Sequence, residues 1–392
     1  MLPLSLLFKG FLKLGATAYG GPAILGQMKK AIVKDLGWMK EQDFLQGIAL
    51  CQLIPGATMV QMSSYIGYRL GGIWGAFVCA VAFIMPAFIL LLILSAIYFK
   101  WGDLWFIQSL FKGLGAMVVA IVLNAVINFG KPLLKDWKLG LIAVLSLFAF
   151  LFRLNTVLVF LLAAALALLF RPAIAIKTPP VPLGQGISET SKKGGDSLFL
   201  IVLAVFIGVI FVVCYWLNPQ LSYLAMTLSK AGALAFGGGF TIIPLIQYEV
   251  VEHFHWVSTK EFLDGIAMGQ VTPGPIIITA TFLGYKIASF WGALMATIAI
   301  FSPAFFIVTL LIPHYDRLKG LGTVRMIEQG ILASFVGMLG LVLYNFGRTT
   351  FVDIPSSLFT VAAFVALLKK IDLSYVLITG SLLSILIFGF LL

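Results

Sequence analysis

Charge is scarce in this sequence. Only 10% of its 392 residues are Asp, Glu, Lys or Arg, where a soluble domain carries about a quarter. Cysteine is nearly absent. Cys51, Cys79 and Cys214 lie in apolar stretches without paired spacing, which excludes a disulfide framework and a zinc ribbon. The chain has 3 histidines, too few for most metal chemistry, and His253 and His255 sit in a polar stretch that reads as solvated loop. There is no glycine-lysine nucleotide loop, so an ATP-driven motor would need a second chain. No nucleophile elbow and no cluster of His, Asp and Glu marks an enzyme. No catalytic residue, metal site or cofactor is therefore expected.

Apolar residues are abundant: 61% of the chain is hydrophobic, with a mean hydropathy of +1.08. They come in long runs, such as Ile73 to Phe99, Leu198 to Leu217 and Leu373 to Leu392. About 18 consecutive apolar residues span a bilayer as a helix. Lipid offers the backbone no hydrogen-bond partner, so helices are the natural spanning structure. The runs lack the strict alternation of a membrane barrel. The net charge of +11 would suggest nucleic acid in a soluble protein. Here basic residues crowding the cytoplasmic loops explain it, and no nucleic-acid partner is expected. The first apolar stretch carries Lys9 and Lys13 and does not read as a cleavable signal peptide.

The chain repeats itself. Gly15-Ala-Thr-Ala-Tyr-Gly-Gly-Pro22 returns as Gly232-Ala-Leu-Ala-Phe-Gly-Gly-Gly239. Trp38 to Gly56 returns as Trp256 to Gly274, with identity at nine of nineteen positions. Gly67-Tyr68-Arg69, Trp74-Gly75-Ala76, Pro86-Ala87-Phe88 and Asn128-Phe129-Gly130 all have counterparts, in order, about 217 residues on. Two copies of one half are the reading. Four regions follow: a first repeat over 1–170, a linker rich in Pro, Gly, Ser and Lys over 171–197, an unmatched apolar helix over 198–217, and a second repeat over 218–392. One extra crossing between the halves would invert the second relative to the first, an architecture common among secondary transporters.

The first two apolar segments of each half are broken. Segment one breaks at Gly20-Gly21-Pro22 and at Gly237-Gly238-Gly239, segment two at Pro55-Gly56 and at Pro273-Gly274-Pro275. Each flank is half a crossing long. Broken spanning helices and re-entrant hairpins both fit. Four hairpins place twenty basic residues inside and six outside, whereas spanning throughout scatters them, so the positive-inside bias favours hairpins. The expected fold is an all-α polytopic membrane protein of two inverted repeats. It has nine full crossings, four hairpins, the N-terminus inside and the C-terminus outside.

A helix that begins in mid-membrane presents free N–H groups and a positive dipole end, a ready anion site. The candidate binding residues are the breaks themselves: Gly20, Gly21, Pro22, Pro55, Gly56, Gly237, Gly238, Gly239, Pro273, Gly274 and Pro275. The embedded Gln52 and Gln270, and the repeat-equivalent Lys13 and Lys230, join them. Each has a plainer reading. Glycines close-pack membrane helices, Pro-Gly can be a kink, and lysines can snorkel to the interface. The carboxylates nearest the motifs, Asp43, Glu261 and Asp264, read as lying at the mouth of the second hairpin. Embedded carboxylates are otherwise missing, which argues against a cation site.

These motifs resemble the chromate ion transporter family, in its long two-domain form. The resemblance rests on Ala18-Tyr19-Gly20-Gly21-Pro22, Leu53-Ile54-Pro55-Gly56, Ile66-Gly67-Tyr68-Arg69, Phe236-Gly237-Gly238-Gly239-Phe240 and Gln270-Val271-Thr272-Pro273-Gly274-Pro275, and covers nearly the whole chain. It implies chromate export across a bacterial inner membrane, and hence chromate resistance. Sulfate, of similar shape and charge, would compete, and coupling to protons is commonly proposed for such carriers. Relatives often carry a second proline where this chain has Ala57, which implies a looser first tip. A passive anion channel, or a transporter of another small anion, is the alternative. The lipid bilayer is the expected surrounding partner, and the oligomeric state is open, a homodimer included.

Overall fold

The computed structural model describes residues 1–19, 23–171, 194–235, 239–314 and 322–390. Among these there is helix and turn but no strand. In chain order the helices are α1 (Leu4–Thr17), α2 (Ala23–Lys29), α3 (Glu41–Leu53), α4 (Thr58–Trp101), α5 (Trp105–Leu133), α6 (Trp137–Leu151), α7 (Thr156–Phe170) and α8 (Gly194–Leu217). They continue with α9 (Pro219–Ala233), α10 (Ile242–Gln247), α11 (Thr259–Val271), α12 (Thr279–Leu311), α13 (Gly322–Thr350), α14 (Ile354–Leu368) and α15 (Leu373–Phe390). Both α2 and α10 run on as π-helical turns, Lys30–Asp35 and Tyr248–His253.

Five described helices are long and apolar enough to cross a membrane: Thr58–Trp101, Trp105–Leu133, Ser197–Trp216, Ile276–Leu311 and Arg325–Thr350. Four shorter apolar helices, α6, α7, α14 and α15, accompany them. The face that Ile201, Val205, Phe206 and Val212 give α8 is largely exposed, as expected where lipid is the solvent. This is a multi-pass membrane protein.

The chain forms two compact units, each drawn from both sequence halves. Unit 1 is Met1–Ile93, Thr178–Gly239 and Thr272–Gly320; unit 2 is Leu94–Lys177, Phe240–Val271 and Leu321–Leu392.

In unit 1, α1 buries Leu7, Phe11, Leu14 and Gly15, a stripe at helical spacing. A side chain on Gly15 would strike the carbonyl of Phe83, and one on Gly232 the carbonyl of Ile300. So α1 lies close against α4, and α9 against α12, through repeat-equivalent glycines. Helix α4 is not continuous. Gly71 and Gly72 leave helical geometry, with φ of +67° at Gly72. Gly67 and Gly75 would stand about 12 Å apart along a straight helix. Instead a Cβ on Gly67 would fall on the Gly75 carbonyl oxygen, so the chain doubles back between them. The second half repeats the device: α12 departs at Ala288 and Ser289, and Gly284 meets the carbonyl of Gly292.

The α3 helix and residues 58–70 form the limbs of a hairpin. Gly47 makes room for the Tyr65 ring. The Tyr65 hydroxyl donates to the Asp43 carbonyl at 3.1 Å, and Arg69 pairs with the Asp43 carboxylate at 3.2 Å. Arg69 therefore clamps the two limbs at their base.

In unit 2, α5 packs against α14 and α15, while α13 packs against α6 and α7. Each half thus lends its long helix to the short pair of the other. Small residues permit the approach: Gly330 sits on the Ala163 carbonyl and Gly337 on that of Ala143. Phe160 packs on Phe335 with ring centroids 4.5 Å apart. Helices α6, α7 and α14 are capped by Asp136, Asn155 and Asp353, whose side chains accept first-turn N–H groups, the satisfaction that helix ends require.

Candidate functional site

The tips of the broken segments meet in unit 1, and they meet crosswise. The Gly56 N–H donates to the Ala235 carbonyl at 2.6 Å, and the Gly274 N–H donates to the Ala18 carbonyl at 2.8 Å. Gly56 and Gly274 are repeat-equivalent, as are Ala18 and Ala235. The Pro-Gly break of each half is thereby tied to the alanine two residues before the glycine break of the other half.

Glycine is required at both donors. Their φ angles are +135° and +103°, which side chains rarely adopt. Space is short as well. A Cβ on Gly56 would lie 3.1 Å from Ala304 Cα, and one on Gly274 would lie 3.1 Å from Ala87 Cβ. Ala87 and Ala304 are themselves repeat-equivalent and follow the prolines inside α4 and α12. The two tips therefore press on the same feature of opposite halves.

Helices begin directly beyond the tips. In α4 the first helical bond is from the Gln61 N–H to the Ala57 carbonyl at 2.9 Å, so the N–H groups of residues 58 to 60 have no partner within the helix. After Pro275 a 3₁₀ turn, Ile276–Ile278, leads into α12, and no side chain caps it. The second tip thus enters its helix through a tighter turn than the first. Gly239 faces that turn, with Ile277 Cγ1 at 3.2 Å and Ile276 Cβ at 3.3 Å from where its Cβ would be.

Of the residues expected from sequence, Pro55, Gly56, Gly239, Pro273, Gly274 and Pro275 lie in this cluster. Gly20, Gly21, Pro22, Gly237 and Gly238 lie outside the described residues. The two glutamines part company: Gln52 is exposed, whereas Gln270, in unit 2, is buried with an unpartnered Nε2. Lys13 and Lys230 are both exposed. They project from α1 and α9 away from the faces that Gly15 and Gly232 bury.

Gln61 escaped the sequence reading. It is fully buried. Its Nε2 donates to the Pro55 carbonyl at 2.6 Å, and its Oε1 has no partner. It braces the first tip from inside the following helix. The position has no glutamine counterpart in the second half, so the repeat could not reveal it. A polar residue within an apolar run was the only signal.

Asp264 departs from its expected place at a hairpin mouth. It is 2% exposed, and its Oδ2 accepts a hydrogen bond from the Tyr98 hydroxyl at 2.7 Å. Both belong to unit 2, where Asp264 lines a cavity of about 620 Å³ together with Lys112, Lys260 and Asp353. Burial acts to raise the Asp353 carboxyl, but the Lys112 ammonium and the Ser356 N–H prevail and hold it below its usual range. Among the described residues no group of His, Cys, Asp and Glu is arranged to hold a metal ion.

Comparison with known proteins places these features. A family model described as "Chromate transporter" matches residues 5–169 and 222–387, which takes in both halves. An uncharacterized transporter of Methanocaldococcus jannaschii is 33% identical over 97% of this chain and 94% of its own length. A chromate transport protein of Cupriavidus metallidurans is 31% identical over 93% of this chain and 88% of its own. One of Pseudomonas aeruginosa is 29% identical over 89% and 82%. No solved structure matches.

Proposed function

Because the chain belongs to the chromate transporter family, we propose that it is a secondary transporter exporting chromate, a tetrahedral dianion, across the inner (plasma) membrane. The observation that carries this reading is the crossed pairing of the tips, Gly56 to Ala235 and Gly274 to Ala18. It draws the starts of helices from both halves into one cluster in unit 1.

The glycine N–H groups at the tips are spent on the crossed bonds. The anion's partners are then the first-turn N–H groups beyond them, residues 58 to 60 and 276 to 277, with the positive helix ends behind. Gly239 adds to the cradle from the first segment of the second half, and Gln52 stands one helical turn before Pro55. Lys13 and Lys230 raise the local concentration of anions. Charge, shape and size are what such a cradle reads, so sulfate competes. The two halves run in inverted orientation, and the cluster opens alternately to either side as they rearrange. The crossed bonds support this, because they couple each tip to the opposite half.

The test is chromate flux into proteoliposomes holding the purified chain, with and without a pH gradient and with excess sulfate. Saturable, gradient-driven flux that sulfate inhibits is expected. Absence of flux from verified folded protein would sink the chromate assignment. Single-channel currents far above carrier turnover would show a passive anion channel instead.

A further inference from the structure

We propose that unit 2 holds a binding site for one phospholipid whose headgroup carries a primary amine beside its phosphate. The headgroup sits between Asp264 and Lys260, and an acyl chain lies along α14. The inference concerns a ligand other than the transported anion and holds whichever anion is carried.

The argument starts from charge. The cavity of about 620 Å³ forms where helix ends of unit 2 gather: the starts of α5 and α14, the first turns of α11, and the ends of α13 and α15. Lys112, Lys260, Asp264 and Asp353 line it. Two of these are committed to each other. Lys112 pairs with Asp353 at 2.5 Å and lies over the Phe388 ring at 4.7 Å, while Asp353 caps α14. Lys260 and Asp264 remain, and among the described residues neither belongs to an ion pair. Asp264 is 2% exposed and Lys260 is exposed. Four residues apart, they share one face of α11, at levels about 6 Å apart along its axis. The cavity thus presents a negative group at depth and a positive group at its mouth.

A buried carboxylate needs a counter-charge. The Tyr98 hydroxyl donates to Asp264 Oδ2 at 2.7 Å, but a phenol is neutral and leaves that charge uncompensated. An ammonium supplies what is missing. The matching ligand carries its ammonium inward and its anion at the mouth, a short spacer apart. A phosphate joined to a primary amine through two carbons has this form. A primary ammonium can donate N–H bonds to the carboxylate, whereas a quaternary one has no hydrogen to give.

The walls point to a lipid. Trp105, the first residue of α5, is 53% exposed and lines the cavity, an aromatic at the level where headgroups lie. A groove of about 400 Å³ continues from the cavity, and Val352 and Asp353 line both. Its other walls are Phe351, Ile354, Leu358 and Val361. The last three are exposed and follow one another at helical spacing down α14. A charged pocket that runs on into an apolar groove matches a molecule with a zwitterionic head and a hydrocarbon chain. Neither part alone would distinguish it from general contact with the bilayer.

The sequence repeat adds an independent point. The first-half positions equivalent to Lys260 and Asp264 are Gln42 and Gln46. Both charges are thus present in the second half and both absent from the first. A packing role common to the halves would not require the pair, whereas a ligand with two opposite charges does.

The experiment is native mass spectrometry of the purified full chain in detergent, titrated with phosphatidylethanolamine, phosphatidylcholine or phosphatidylglycerol of identical acyl chains. One molecule of the ethanolamine lipid should bind about tenfold more tightly than either of the others, as one charge-assisted bond implies. Asp264→Asn and Lys260→Gln should each erase that preference, and Leu358→Trp, which fills the groove, should weaken the lipid while leaving the order of headgroups. Val205→Ala, on the exposed face of α8, should change nothing. Equal binding of the three lipids to the wild type would overturn the proposal. So would an undiminished ethanolamine preference in Lys260→Gln, an exposed position whose variant should fold even if Asp264→Asn does not. Glycerophosphoethanolamine, which has the same head and no chains, is the last arm. If it displaces the lipid at equal concentration, the cavity takes a soluble zwitterion and the lipid assignment fails. None of these readings uses chromate flux, so failure of the transport reading would leave the result intact.

Discussion

The N–H of Gly56 reaches the carbonyl of Ala235, and 218 residues later the N–H of Gly274 reaches back to the carbonyl of Ala18. Two short segments that are far apart in the chain thus satisfy each other's backbone where each helix has been interrupted. A broken helix inside a membrane leaves polar groups that lipid cannot satisfy. Here the duplicated halves supply the missing partners reciprocally. The same glycines must adopt positive φ and pass close to Ala304 and Ala87, so conformation and space select the same residue.

Replacing either glycine by alanine should therefore destabilise the protein. A strained backbone position of this kind costs about 1–3 kcal/mol. Gly56→Ala and Gly274→Ala should each lower the thermal midpoint of the detergent-solubilised protein and reduce flux. An unchanged midpoint in both would show that the crossed tips do not hold the fold.

The turn that doubles α12 back holds Ser289 at φ +47°, where the first half has Gly72 at +67°. A non-glycine residue pays for that geometry. Ser289→Gly should stabilise the protein by about 1 kcal/mol with flux unaltered. A lower thermal midpoint would mean that the serine side chain contributes more than its backbone costs.

Lys13 and Lys230 are exposed. If they draw anions inward, Lys13→Gln and Lys230→Gln should each weaken chromate affinity by roughly fivefold, the equivalent of about 1 kcal/mol for a charge acting through a watery path. An unaltered Michaelis constant, with a change only in membrane abundance, would make them interfacial anchors.

Inversion of the halves is tested by side-specific labelling. A cysteine at Lys30 should react only from the cytoplasm and one at Lys260 only from outside. Labelling of both from the same side would end the inverted arrangement.

Much of the architecture was legible because membrane helices write themselves into composition. Apolar runs, the linking stretch, the repeat and the glycine and proline breaks are local features. The bond of Arg69 to Asp43 was not legible, because it depends on the limbs lying side by side. Gln61 could not be read as a brace, because its partner is a carbonyl six residues back that only a broken helix turns toward it.

By itself the sequence determined that the chain crosses a membrane in helices, that it is a duplicated half, and where its helices must break. Those follow from hydrophobicity and from the backbone preferences of glycine and proline, which act over a few residues. Tertiary structure alone decided that the tips pair across the halves, that α5 and α13 exchange their partners, and that Asp264 is buried beneath Tyr98. Each of these depends on residues far apart in the chain being brought together, and a carboxylate's burial is set by what packs over it rather than by its neighbours in sequence.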